Sequence, residues 1–206
     1  SFRLQYDSTA NRLNVQEFRL GSGNAVAHTK GHLRFGKSTA ASLETRIQDA
    51  PLADVARLLP AFGARLPAGS SLSAGTLAGE LQVSGPVAHP SRRGHLEVRN
   101  ARLANYNVAG QLGGIARMVG VDTGGKDTAI EQFKTAFATE RDYTTLTDLL
   151  LVIPGMNITG EGGFSDAGNL NFQGTATLTR AGAAVGSLLQ KVTGASTVIP
   201  FMVTGT

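Results

Sequence analysis

The residues that come nearest to a chemical motif are Gly120-Val121-Asp122-Thr123-Gly124-Gly125-Lys126-Asp127. Their glycine and lysine spacing is that of a phosphate-binding loop, where backbone N–H groups cradle phosphates and the lysine reaches the outermost ones. The next position must supply a hydroxyl for Mg²⁺, yet it is Asp127, and Thr128 comes one place too late. The loop also follows a segment with helical spacing, where a buried strand is required. It reads as a turn, and nucleotide binding is the least supported of the functions considered.

His28 and His32 could share a zinc ion on one face of a helix. The residues around them alternate with period two, and on a strand the two imidazoles stand about 13 Å apart at ~3.3 Å per residue. That is too far for one ion. Gly160-Glu161-Gly162-Gly163 is expected between strands, without the helix a dinucleotide site needs. No serine sits in a nucleophile elbow, and Glu140, Asp142 and Asp148 read as separate surface charges. With no cysteine there is no disulfide, thiolate metal site or cysteine nucleophile. No catalytic residue, metal site or cofactor is expected.

The charge balance raises a different possibility. A net charge of +4 and a pI near 9.8 suit an anionic partner. The basic residues are scattered, however, and the densest group is His89, Arg92, Arg93, His95, Arg99 and Arg102, interrupted by Pro90 and Gly94. It lacks interleaved aromatic side chains for stacking bases, and there is no recognition-helix pattern. It reads as a solvated face, and no nucleic-acid partner is expected.

The elements that would carry any function are strands. Charged residues make up 17%, well below the ~25% of an average soluble protein, and the 26 glycines show no collagen period. That combination indicates many chain reversals in an all-β protein. Phe2, Leu4 and Tyr6 alternate with Arg3 and Gln5; Leu13 and Val15 form a second short strand, and Phe18 and Leu20 a third. Ala25, Ala27, Leu33 and Phe35 face one way while His28, Lys30, His32 and Arg34 face the other. Ala41 to Ile47, Leu77 to Val83, Leu96 to Val98, Leu146 to Ile153, Met156 to Phe164, Leu170 to Leu178 and Val198 to Thr204 continue the theme. Asp166-Ala167-Gly168-Asn169 has the chemistry of a hairpin turn.

Helical spacing is confined to 51–60, 110–121 and 182–192, while 129–139 fits either period. The longest apolar run, Leu149 to Ile153, is five residues, far short of the ~20 of a spanning helix. The expected class is mainly β. Repeated antiparallel strands form a curved sheet, trough or sandwich, with two or three short helices. Two units are expected: 1–69, a β-strand unit ending in a short helix, and 70–206, a β-rich unit.

A phrase recurs. Gln82-Val83-Ser84-Gly85-Pro86 leaves a strand through Gly and Pro, and Phe201-Met202-Val203-Thr204-Gly205-Thr206 begins the same phrase and stops, as if the last repeat were truncated. The order Leu66-Pro67-Ala68-Gly69, Val83-Ser84-Gly85, Pro90, Gly94-His95-Leu96-Glu97-Val98 and Asn100-Ala101-Arg102-Leu103 resembles the C-terminal region of the AsmA-like family. So do Phe133 to Phe137, Thr145 to Leu151, Ile158-Thr159-Gly160-Glu161-Gly162, Gly168-Asn169-Leu170-Asn171-Phe172 and Ile199 to Thr206. The resemblance spans roughly residue 41 to the end and rests on glycines and alternation.

The resemblance implies a non-catalytic periplasmic module of the Gram-negative envelope. Such a module is tethered to the inner membrane by an N-terminal anchor, acts in outer-membrane biogenesis and moves phospholipid along a β-groove. It also implies that 129–139 is mainly strand. Phospholipid or another envelope lipid, and envelope assembly proteins, are the partners it suggests. The residues that would line an apolar groove are Leu77, Leu81, Val83, Leu96 and Val98, with Leu146, Ile158, Leu170, Phe172 and Leu178. The alternative is a structural or protein-interaction β-repeat module in which these side chains pack a closed core.

Overall fold

Period-two alternation becomes a single antiparallel meander in a computed structural model, which describes residues 1–57, 69–105, 126–178 and 198–205. The strands are β1 (Phe2–Asp7), β2 (Arg12–Ser22), β3 (Ala25–Arg34), β4 (Ala40–Pro51), β5 (Ser71–Ser73) and β6 (Thr76–Pro86). They continue as β7 (Ser91–Ala104), β8 (Thr128–Glu140), β9 (Tyr143–Ile153), β10 (Met156–Ser165), β11 (Leu170–Leu178) and β12 (Val198–Gly205). The sheet order is β1-β2-β3-β4-β6-β7-β8-β9-β10-β11-β12, with short β5 pairing β7. The sheet crosses the expected boundary at 69/70 without a break, because β4 pairs β6 from Ala40↔Pro86 to Pro51↔Thr76.

Three strands contain an extra residue, always in the same sequence context. Val15-Gln16-Glu17-Phe18 in β2, Ile47-Gln48-Asp49-Ala50 in β4 and Leu146-Thr147-Asp148-Leu149 in β9 each place a polar pair between two apolar residues. At each, the register against the neighbouring strands shifts by one. Strict alternation would send the second apolar residue, and everything after it, to the opposite face. A β-bulge absorbs the additional residue and keeps both apolar residues on one side. Asp49 and Asp148 take φ of 45° and 52° to do so. Residues 12–22 are therefore one bent strand, where two separate strands are expected from the sequence.

Other expectations fare variously. Residues 129–139 lie in β8, as the resemblance implies, so tertiary pairing overrides the helical spacing of Ile130, Phe133 and Phe137. Gly160-Glu161-Gly162-Gly163 lies inside β10 and not between strands. The Asp166–Asn169 turn closes β10 onto β11, with the Ser165 N–H donating to the Asn169 carbonyl at 2.9 Å and Gly168 at φ 90°. The helix expected over 51–60 is α1 (Leu52–Ala56), and those over 110–121 and 182–192 lie outside the described residues.

Packing across the sheet is limited. The one large, fully buried side chain among the described residues is Met156, clustered with Ile153, Ile158 and Ala176 and flanked by Ile130, Leu151 and Phe201. At the other end α1 closes a small plug. Leu52 is buried, its N–H donates to the Gly75 carbonyl, and Asp54 Oδ2 accepts from the Asn24 N–H at 2.9 Å. Among the described residues half of the buried apolar ones are alanines, Ala25, Ala41, Ala50, Ala101 and Ala176, so little side-chain volume is sequestered there.

The bulges make a direct prediction. Deleting Asp148 pushes Leu149, Leu151 and Ile153 toward the polar side, and we expect urea unfolding to lose its cooperative transition. Asp148→Gly, which suits a positive φ, changes stability by no more than about 1 kcal/mol.

Candidate functional face

Cross-strand partners in an antiparallel sheet point to the same side, so the register decides which residues share a face. One row reads Leu43, Val83, Arg92, Thr139, Thr144, Phe164, Leu170. The next reads Thr45, Leu81, Gly94, Phe137, Leu146, Gly162, Phe172, Val203. The row that passes through the core reads Ala50, Leu77, Val98, Phe133, Leu151, Ile158, Ala176, Ile199. Ile47, Gly79, Leu96 and Thr135 stand between these rows.

Nine of the ten sequence-derived candidates thus occupy one face of the sheet. Leu77, Leu81 and Val83 come from β6, Leu96 and Val98 from β7, Leu146 from β9, Ile158 from β10, and Leu170 and Phe172 from β11. Leu178 takes the register position opposite Met156, and its side chain lies outside the described residues. Ile158 differs from the rest. It is 5% exposed within the core cluster, so it serves packing. Leu170 is 37% exposed and the neighbouring Phe164 42%. Sequence reasoning overlooked Phe164 and Val203, which belong to these rows, and Phe201, which stands between two of them opposite Gly174, although each sits at an alternating position of its strand.

Aromatic rings lie down on this face because glycines beneath them leave room. A Cβ added at Gly160 would fall 2.7 Å from Phe172 Cζ, and one at Gly162 would fall 2.8 Å from Phe172 Cδ2. Phe172 and Phe201 are 6.1 Å apart at 30°. Phe137 covers its partner Gly94 in the same manner. The rings spread over the sheet, which is the use of Gly160 and Gly162; Gly163 instead lies against Tyr143.

The opposite face is polar. Lys30, Glu44, Arg46 and Glu80 form a chain of ion pairs at 2.7 to 3.6 Å, and Arg99 pairs with Glu97 at 2.8 Å. His28 and His32 stand on β3 on this side, and Arg93, His95 and Arg99 of the basic group join them. Arg102 is held by Asp127, the residue that stands where the phosphate-loop hydroxyl would be; the loop before Lys126 lies outside the described residues. Two adjoining open hollows of about 990 and 420 Å³ also lie on this face. Lys134, Leu150, Thr159, Thr175 and Pro200, one row of the polar side, line the larger. The concavity formed by the described residues between β8 and β12 therefore opens on the polar side, and the apolar rows form its back. No group of three or more metal-ligating side chains occurs among the described residues, and no described helix is long and apolar enough to cross a membrane.

Two outcomes follow from this geometry. Gly162→Val drives a side chain into Phe172 and the Asn171 carbonyl, and should cost about 1–3 kcal/mol in urea unfolding, the usual range for overpacking. The Glu97 carboxyl is held below its usual 4.5, first by the Arg99 hydrogen bond and then by that from Gln132. A depressed carboxylate stabilises the fold above its unfolded pKa, and that contribution is lost as pH falls through the folded value. NMR titration should place its midpoint below 4.5, and Arg99→Ala should raise it.

Comparison with known proteins adds no neighbour: no family model, no curated protein and no solved structure matches this chain.

Proposed function

We propose that this chain is a non-catalytic, β-rich module of the Gram-negative envelope, acting in the periplasm in outer-membrane biogenesis by shielding or passing phospholipid along its apolar sheet face. The observation that carries the reading is the pair of rows from Leu81 to Val203 and from Leu77 to Ile199, which hold no charged residue from β6 to β12. Phe164, Leu170 and Val203 stand exposed at one margin, where the outer row is broken by Arg92, Thr139 and Thr144. Acyl chains need an apolar strip about as long as themselves, and rows of cross-strand partners at ~4.8 Å per strand provide one perpendicular to the strands. A contiguous apolar patch left open to water is uncommon on a soluble protein and marks a surface with a partner. An anchor in the inner membrane and contacts with assembly proteins extend the same reading through the family resemblance. The hollow on the polar side is not used by it.

The test is native mass spectrometry after incubation with phosphatidylethanolamine–phosphatidylglycerol vesicles. Wild type should retain phospholipid, and Phe164→Asp/Leu170→Asp should retain at least tenfold less while keeping its circular dichroism. These two positions are exposed, so they avoid the folding cost that Ile158→Asp would bring by burying a charge. Wild type free of lipid, or a double variant that binds as well as wild type, favours the structural or protein-interaction module instead.

A further inference from the structure

The hollow on the polar side is left over once the apolar face has been assigned. Its two parts, of about 990 and 420 Å³, share Glu161, Gln173 and Met202 and so form one trough. From the Thr159 row to the Gly163 row it runs about 13 Å along β10, at ~3.3 Å per residue. Across β9 to β12 it spans about 14 Å, at ~4.8 Å per strand.

Tyr143 gives this trough an aromatic floor. A Cβ added at Gly163 would fall 2.5 Å from Tyr143 Oη and 2.7 Å from Cε1, so the ring lies across the glycine in the room its missing side chain leaves. Gly163 is buried beneath it, while Tyr143 stays 44% exposed, with its outward ring face open to the trough. Around the ring stand uncharged hydrogen-bonding groups. Thr145, Asn171 and Thr204 share a cross-strand row with Gly163, and their exposed side chains have no partner among the described residues. In the next row Gln173 Nε2 donates to Glu161 Oε1 at 2.9 Å, which leaves the Gln173 carbonyl oxygen and the second Glu161 oxygen to accept from a ligand. The Thr159 and Thr175 hydroxyls share one hydrogen bond at 2.9 Å, so one of their protons stays available.

We propose that this trough binds a neutral oligosaccharide, with one sugar ring stacked on Tyr143 and its hydroxyls held by Asn171, Gln173 and Glu161. A pyranose has both kinds of surface that the trough offers. Its face of C–H groups packs on an aromatic ring, and its rim of hydroxyls both donates and accepts hydrogen bonds. Charge argues against an anionic ligand. Lys134 is the one cation among the described lining residues, against the carboxylates of Asp148 and Glu161, so a phosphate or sulfate would meet net negative charge. An acyl chain would cover Asn171 and Gln173 without giving their amides a partner, at the cost of their hydration. An open trough of this length suits at least two linked rings better than one enclosed small molecule. The site lies on the side opposite the apolar rows and holds whether or not they take lipid.

Isothermal titration with maltotetraose, cellotetraose and chitotetraose tests this, with a heparin tetrasaccharide as the anionic counterpart. At least one neutral probe should bind wild type with a millimolar or tighter constant, and heparin should bind more weakly. Tyr143→Ala should weaken binding about tenfold and Tyr143→Phe by no more than about twofold, because the stacking face remains. Asn171→Ala, at an exposed side chain with no described partner to lose, should weaken it about threefold or more. Tyr6→Ala, which removes an exposed ring outside the trough, should bind as wild type. Each variant is checked for unchanged circular dichroism. No millimolar binding of any neutral probe, tighter binding of heparin, Tyr143→Ala and Asn171→Ala proteins that bind as well as wild type, or an equal loss in Tyr6→Ala would each overturn the proposal.

Discussion

Backbone hydrogen bonding between neighbouring strands does what a hydrophobic core does in most domains. With few large side chains deeply buried among the described residues, chiefly the Met156 cluster and Leu52, the sheet has no second described layer to sandwich it along most of its width. What holds a strand in place is its pair of ladders, and what makes one register better than another is the match of apolar to apolar residues across them. A slip by a single residue in any strand would move its apolar set to the wrong side. The three bulges are the points where the chain departs from simple alternation to preserve that match.

Much of this was legible in the sequence. The alternation at Ala25–Arg34, Leu77–Val83 and Met156–Phe164 names the strands and the face each residue takes, because side-chain direction follows from backbone geometry alone. Nine of the ten candidate positions share a face for the same reason. What escaped was the effect of paired polar residues. Gln16-Glu17 looks like a gap between strands when it is a bulge within one, and only the partner strands show that pairing continues on both sides of it. A doublet such as Gln48-Asp49 or Thr147-Asp148, flanked by apolar residues, carries that signal once its neighbours are known.

The glycines of β10 were misread for a related reason. Gly160-Glu161-Gly162-Gly163 looks like a loop by composition, since glycine weakens strands. Here the missing side chains of Gly160 and Gly162 are the room into which Phe172 lies, a requirement imposed by the next strand and invisible along the chain. The direction of curvature was equally hidden. Alternation fixes which side chains share a face, but it leaves open which face becomes hollow, and between β8 and β12 it is the polar one.

A sheet built as a meander, in which each strand leans almost solely on its two neighbours, behaves as a one-dimensional chain of linked hairpins. Its stability is close to a sum of intrinsic strand terms and nearest-neighbour couplings. Fraying should begin at the outermost strands and advance inward, with the ladders around β9 and β10 opening late because the Met156 cluster ties them together. The same modularity bears on how such a chain can change in length. Inserting or removing one hairpin alters the direction of no remaining strand and leaves each on its original face, so the width of the apolar surface can vary in units of two strands while every surviving ladder keeps its register.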